Sequence, residues 1–271
     1  MSSGSIEGKA AFITGGSSGI GLACAMECAA NGHNIAIFAR NEDRLISAAL
    51  DIRGKFSGVE VYFETADVTD RAALRRAFLS ASEAVGQPGI LICSAGETHP
   101  GYWTDLDESV EEEILQTNYF GVVKSIREAL PLMASGGRIV MVSSAAAILG
   151  TCGYGAYAPS KFALRGLAEI LRVELRQHNL SLTLSMPPDT DTPQLADEVK
   201  SRPPVTSRIS GLGSVLSADS VARNIYSAVK ARRFLALPTI SLHLYYYSSP
   251  FIAPFLRAYQ RRILARGNKD L

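Results

Sequence analysis

The sequence predicts an α/β domain: a doubly wound parallel sheet with helices on both faces. Three observations predict it. Short apolar or β-branched runs alternate with helix-length stretches, the runs are apolar at nearly every position, and a glycine-rich loop follows the first run directly. Alternating strand and helix signals mark repeated βα units, and strands apolar on both faces belong to sheets covered on both sides. The 271 residues, 47% hydrophobic and 20% charged, suffice for a full core. No linker, low-complexity run or internal repeat marks a second domain, so 1–271 is read as one.

Taken in order, "AAFIT" (10–14), "NIAIFA" (34–39), "VEVYFE" (59–64), "GILIC" (89–93), "RIVMVS" (138–143) and "SLTLS" (181–185) read as strands. A last strand is expected from Phe234. Helical patterns fall near 20–31, 42–56, 70–86, 108–134 and 155–178. In such a sheet ligands bind beyond the carboxyl ends of the strands, so each strand-to-helix loop is a candidate site.

The bulk numbers exclude little. A formal charge of +1 gives no sign of nucleic-acid binding, but from Lys230 onward eight Lys/Arg face Asp270 alone, leaving residues 1–229 at −6. The four cysteines, Cys24, Cys28, Cys93 and Cys152, lack paired metal spacing. Cys24 and Cys28 stand four apart on a helix pattern, where they pack rather than bridge, and a reducing compartment fits. Residues 1–8 show no apolar leader, so a cytoplasmic location is expected.

"TGGSSGIG" (14–21) opens the first helix. Its glycines let backbone approach a pyrophosphate, which the helix N-terminus attracts, so Gly15, Ser17, Ser18, Gly19 and Ile20 are the candidate cofactor positions. Gly15–Gly19 also spell the G-x-S-x-G of an esterase elbow, but none of the four His stands in a context fit to serve Ser17. The second strand ends at Arg40 where an NAD-binding acid would stand. With Arg44 a turn later, guanidinium groups point to a 2′-phosphate and hence NADP(H), against the plainer reading of solvated helix-start arginines. Asp67 and Val68 suit the adenine amino group and ring; helix capping competes for Asp67, with Asp70 the better cap.

Tyr157 and Lys161 share one helix face, and Pro159 is tolerable only inside the first turn. A lysine beside a phenol favours its ionised form and suits proton transfer. Ser144, or its neighbour Ser143, ends the fifth strand, and the thirteen-residue spacing to Tyr157 favours Ser144.

Together these motifs resemble the short-chain dehydrogenase/reductase family over roughly residues 8–237. The resemblance implies a Rossmann-type fold, Tyr157 as acid/base, Lys161 on the nicotinamide ribose and tuning Tyr157, Ser144 on the substrate carbonyl, and Asn118 of "TNYFG" holding a relay water. It also implies a dimer or tetramer through the helices of 108–134 and 155–178. The family's N-N-A-G is here Cys93-Ser94-Ala95-Gly96, which is read as a local stability change. Its Pro-Gly loop after the sixth strand is here "PPDTDTP" (187–193), expected to line the nicotinamide through Pro187, Thr190 and Thr192. That heptapeptide, "ARNED" (39–43), "AYAPSKFALRGLAE" (156–169) and the surroundings of Arg208 are similar to a subfamily that reduces 3-keto sphingoid bases. The implied reaction is NADPH-dependent reduction of 3-ketodihydrosphingosine, a long-chain lipid ketone, in sphingolipid biosynthesis. Another ketone (a 3-oxoacyl thioester or a steroid-like compound) and a non-catalytic NADP(H) sensor or membrane scaffold are the alternatives. Asp189-x-Asp191 is too few ligands for a metal, and Asp191 or Thr192 can cap a helix starting at Pro193. The stretch from Pro193 to Ser217 reads as a mobile lid facing the substrate.

Phe234–Leu256 holds 23 residues without formal charge, then Arg257, Arg261, Arg262 and Arg266. Peripheral contact with a cytoplasmic membrane face, packing within the protein or an oligomer, and a membrane span are all open. Pro238, Pro250 and Pro254 are expected to interrupt the segment.

Overall fold

The computed structural model of the protein describes residues 9–211 and 213–267. Residues 1–8, Lys269, Asp270 and the Arg266 side chain, on which the leader and part of the tail reading rest, lie outside what is described.

The strands are β1 (Ala10–Thr14), β2 (Ile35–Ala39), β3 (Val61–Thr65), β4 (Pro88–Cys93), β5 (Arg138–Val142), β6 (Ser181–Ser185), the short β7 (Thr190–Asp191) and β8 (Leu216–Ser217), and β9 (Leu235–Ala236). Seven form one sheet in the order β3-β2-β1-β4-β5-β6-β9, with every pair parallel. β7 and β8 form a separate parallel ribbon beyond its carboxyl edge. The order reverses between β1 and β4, which opens a crevice above that edge.

Both sheet faces are dry at the centre because both halves of the alternation in β1, β2, β4 and β5 are apolar. Phe12, Phe38, Leu91 and Met141 pack on one side; Ile13, Ile37, Ile92 and Val140 pack on the other. On the first side Phe12, Phe38 and Phe78 meet with ring centroids 4.8–5.7 Å apart. Each such fully buried ring contributes about 2–3 kcal/mol. The helices are α1 (Gly19–Ala30), α2 (Glu42–Lys55), α3 (Arg71–Val85), α4 (Glu108–Leu115), α5 (Gly121–Ala129), α6 (Tyr157–Glu174), α7 (Pro193–Ser201), α8 (Pro204–Ser210), α9 (Ala218–Lys230) and α10 (Ile240–Gly267). α3, α5 and α6 cover the first face, and α1, α2 and α9 cover the second. Cys24 and Cys28 pack unbridged inside α1.

Two expectations change, and a third gains detail. The helix pattern of 108–134 is interrupted: a π-helical turn, Gln116–Phe120, separates α4 from α5, and a 3₁₀ turn at Leu130–Leu132 carries Pro131. The segment expected as a mobile lid carries two helices, α7 and α8. Pro250 and Pro254 do not interrupt the C-terminal segment, which is a helix of 28 residues. Pro250 has no N–H for the carbonyl of Tyr246, but Ser249 Oγ donates to that oxygen at 2.9 Å and so supplies the missing bond. Among the described residues no helix is long and apolar enough to cross a membrane.

Candidate active site

The first loop is shaped by what its glycines lack. Gly15 has φ +70°, and a Cβ there would come within 2.6 Å of the Ala95 nitrogen. A Cβ on Gly21 would fall 2.1 Å from the Gly15 carbonyl oxygen. Backbone therefore packs on backbone, and α1 begins at the mouth of the crevice. Ser18 occupies its N-cap position without capping it by side chain, so the first N–H groups have no side-chain acceptor. That is a seat for a phosphate. The esterase reading finds no partner here: His33 lies between the Lys9 carbonyl (2.8 Å) and the Tyr226 hydroxyl (3.0 Å), at the amino end of β2.

At the end of β2, Arg40 is ion-paired with Glu97 and has a side chain 62% exposed, so it is free to turn between two anions. Asn41 caps α2 by accepting from the Arg44 N–H at 2.9 Å, and both arginines line the crevice. Asp67 Oδ1 takes the Thr69 N–H and hydroxyl at 2.7 and 2.8 Å, while Asp70 caps α3 through the N–H groups of Ala72 and Ala73. Asp67 keeps its second oxygen for another donor.

The centre of the site is assembled from β5, α6 and the π turn. Ser144 Oγ accepts from the Ala146 N–H at 3.1 Å and also reaches the Tyr157 phenol. Ser143 is instead buried, with its hydroxyl donating to the Lys161 carbonyl at 3.0 Å. The structure therefore separates the two serines: one faces the phenol, the other fixes α6 to β5. Lys161 is 5% exposed, with its Nζ 5.5 Å from the Tyr157 ring centroid and donating to the Val142 carbonyl at 3.2 Å. Burial pulls its pKa down to about 8. Tyr157 moves the other way: burial raises its pKa, Ser144 partly offsets this, and the carboxylates of Glu198 and Asp189 raise it further.

Asn118 explains the π turn. Its Oδ1 accepts from the Glu97 N–H at 2.8 Å, and its Nδ2 donates to the Glu97 carbonyl at 2.9 Å and to Ser160 Oγ at 3.0 Å. An inserted residue turns this amide inward, where it locks the loop after β4 to α6; π turns commonly serve such ends. Gly96 fits because a Cβ would sit 3.2 Å from Asn118 Oδ1 and 3.3 Å from Lys161 Nζ. Cys93, in the unusual motif, is fully buried in register with Thr14 and Met141, and burial pushes its thiol up to about 12. It packs as a small apolar residue.

The Pro-Pro loop closes the far side. The Pro187 carbonyl accepts from the Ala145 N–H at 2.9 Å, tying the loop to the turn that carries Ser144. Thr190 Oγ1 donates to the Pro188 carbonyl at 2.9 Å. Thr192, rather than Asp191, caps α7, accepting from the Leu195 N–H at 3.2 Å, and its methyl would touch a Cβ on Gly19 at 3.0 Å. So Pro187, Thr190 and Thr192 face the phosphate loop across one cavity of about 750 Å³. That cavity runs from Gly15, Arg40 and Asp67 past Ser144, Tyr157 and Lys161 to an apolar end formed by Leu149, Ile209 and, from α10, Leu242, Tyr245, Ile252 and Leu256. α10 also holds the loop between Ser144 and Tyr157, since Gln260 bonds the Cys152 N–H (2.9 Å) and the Gly150 carbonyl (3.3 Å).

Sequence reasoning missed several lining residues: Glu97, Tyr154, Glu198 and the α10 positions. The spacing of Glu198 and Arg202, four apart in the lid, was the available signal for one of them. No contiguous motif marks the others.

The chain matches the family model described as short chain dehydrogenase over residues 9–203. It is 34% identical to a 3-ketodihydrosphingosine reductase of Dictyostelium discoideum, covering 96% of this chain and 83% of that one. A 3-ketodihydrosphingosine reductase of Bos taurus is 39% identical, covering 81% and 68%. Among solved structures, a short chain dehydrogenase of Burkholderia cenocepacia in complex with NADP superposes with a TM-score of 0.74 at 29% identity, covering 86% and 95%. A short chain dehydrogenase/reductase of Burkholderia phymatum with NAD has the same fold at a TM-score of 0.81 and 24% identity, covering 93% and 96%.

Proposed function

We propose, from the premise that this chain belongs to the short chain dehydrogenase family, that it is an NADPH-dependent reductase of 3-ketodihydrosphingosine. One observation carries the reading: a single cavity joins a phosphate seat, the Ser144–Tyr157–Lys161 group and an apolar end built by α10. A dinucleotide fits the uncapped start of α1 and the bare cradle of Gly15, with Arg40 and Arg44 placed for a 2′-phosphate. When bound, it supplies the hydride.

The chain's own residues do the rest. Tyr157 Oη delivers the proton to the ketone oxygen, and its raised pKa keeps it protonated for that step. Ser144 Oγ donates to the same oxygen as charge develops there. Lys161, held by the Val142 carbonyl, orients the nicotinamide ribose and returns a proton towards Tyr157. The apolar end accommodates the hydrocarbon chain, and its walls exclude water from the reacting carbonyl.

Two features outside the cavity extend the reading. Ile240, Leu244, Tyr247, Phe251 and Phe255 form one exposed stripe along α10, with Phe251 and Phe255 78% and 76% exposed, followed by Arg257, Arg261 and Arg262. An apolar stripe beside cations suits an anionic membrane surface, from which a lipid ketone would reach the inner face of the same helix. Flotation with anionic liposomes tests this: the wild type should float, and a Phe251→Asp, Phe255→Asp variant should stay behind. Phe162, Ile170 and Val173 are likewise exposed on α6, and they support a homodimer through that helix. Light scattering reads its mass.

The reading as a whole is tested by following NADPH oxidation with detergent-dispersed 3-ketodihydrosphingosine, beside a 3-oxoacyl thioester and a steroid ketone. Preference for the thioester or steroid would replace the substrate and leave the chemistry. Binding of NADPH without turnover of any ketone would return the chain to a sensor or scaffold.

A further inference from the structure

A buried ionic network lines the cavity on the side away from the phosphate seat. Arg202, with its side chain 5% exposed, donates to Asp189 Oδ2 at 2.7 Å and through Nε to Glu198 Oε1 at 2.7 Å. Tyr154 donates its hydroxyl to the same Glu198 oxygen, and its ring lies 5.8 Å beneath the Arg202 guanidinium. The elements are distant in sequence: Tyr154 precedes α6, Asp189 lies in the Pro-Pro loop, and Glu198 and Arg202 stand at the end of α7.

Two features of this network do not belong to a purely structural ion pair. The count is unbalanced, with two carboxylates to one guanidinium. Glu198 is nearly buried while the Asp189 side chain keeps 25% exposure, and both line the cavity, so the excess negative charge faces a space that a second cation can enter. The position is also specific. Glu198 Oε2 and Asp189 Oδ1 accept no hydrogen bond from the described residues, although the Glu198 side chain is 8% exposed and lines the cavity. The Tyr154 ring that anchors Glu198 is 5.4 Å from the Tyr157 ring, centroid to centroid. Glu198 and Asp189 both act electrostatically on the Tyr157 phenol, so a cation seated between them is within reach of the same group.

We propose that Glu198 and Asp189, held by Arg202 and Tyr154, form the binding site for a protonated amine on the carbon next to the ketone, and so select α-amino ketones over neutral ones. This rests on the reading of the chain as a reductase of a 3-keto sphingoid base, whose ammonium group stands at that carbon. Binding of the ammonium supplies the missing charge. It also offsets the two carboxylates that raise the Tyr157 pKa, so the amine that is recognised also eases proton transfer.

The test compares 3-ketodihydrosphingosine with its N-acetyl derivative and with the ketone lacking the amine, in wild type, Glu198→Gln and Asp189→Asn. A charge-assisted bond contributes about 1.5–3 kcal/mol, or roughly 10- to 100-fold, so the wild type should prefer the amine over both neutral ketones by that factor in kcat/KM. In Glu198→Gln the preference should fall at least about 10-fold, mainly through KM for the amine, and Asp189→Asn should lower it in the same direction. NADPH titration and thermal unfolding confirm that each variant is folded, and either variant alone decides the outcome. Equal kcat/KM for charged and neutral ketones in the wild type, or an equal loss on all three in the folded variants, overturns the amine site while leaving the reductase standing. Absence of turnover on every sphingoid ketone, with turnover of the thioester, overturns the substrate reading and the amine site together.

Discussion

The two ends of the cavity are built by different means. At the phosphate seat, within a few residues of β1, function is carried by backbone: Gly15 at a positive φ and a helix start with no side-chain cap. At the substrate end it is carried by side chains from Leu149, Tyr154, Glu198, Ile209 and α10, which meet only after the chain has folded. Backbone geometry tolerates changes of side chain but hardly any change of shape. Side-chain walls can be re-cut one residue at a time. The difference teaches where this architecture keeps a constant reagent and where it varies the substrate.

The largest test acts at the seam. Tyr157→Phe should lower kcat by about 10³-fold while NADPH affinity, read by fluorescence titration, stays within a few fold. Loss of NADPH binding as well would show that the two ends are not separable.

A second test uses the buried amine between them. The folded pKa of Lys161 is about 8, below its ordinary 10.5, so between those values the unfolded chain binds more protons than the folded one. Stability must therefore rise with pH across that window, by roughly 1.4 kcal/mol per unit at most, relative to Lys161→Met. Urea unfolding of both proteins at pH 7.5 and 10 reads the difference. A gap independent of pH would mean that Lys161 is not desolvated as described.

The nucleotide end can be sharpened through Arg40. Arg40→Ala should raise KM for NADPH about 10-fold and leave KM for NADH within about 3-fold, since only the 2′-phosphate loses a partner. Equal losses on both would assign Arg40 to its ion pair with Glu97 instead.

The smallest effect is at the loop between the ends. Thr192→Ala removes the α7 cap and should cost about 1 kcal/mol, or a fall of a few degrees in Tm. Hydrogen exchange should quicken in α7 before it does in α1; uniform quickening would make the lid part of the core.

The same contrast explains how much of the molecule was legible. Six strands could be placed to within two residues because each is a short apolar or β-branched run bounded by turns, four of them apolar on both faces. The phosphate loop and Tyr157-x-x-x-Lys161 are contiguous, so their geometry follows from spacing alone. Ser144 needed only the sheet's direction. The π turn was invisible because it answers a bond between Asn118 and the backbone of Glu97, twenty-one residues away. Pro250 argued against a helix that Ser249 rescues by a bond no propensity records. The Tyr154–Glu198–Arg202–Asp189 network joins two loops to the end of α7, and no periodicity connects the three.

The helix that closes the cavity limits how this sequence can drift. Over α10, Leu242, Tyr245, Ile252 and Leu256 line the cavity, Gln260 holds the loop bearing Cys152, Ser249 bonds the carbonyl that Pro250 leaves without a donor, and on the proposed reading the outer stripe meets a membrane surface. A surface helix usually offers one face on which substitutions pass unnoticed. If the proposed membrane contact holds, both faces are claimed, and variation along 240–263 should be as restricted as in a buried strand. An inventory of tolerated substitutions at each position would show it as a plateau where other exterior helices show a saw-tooth.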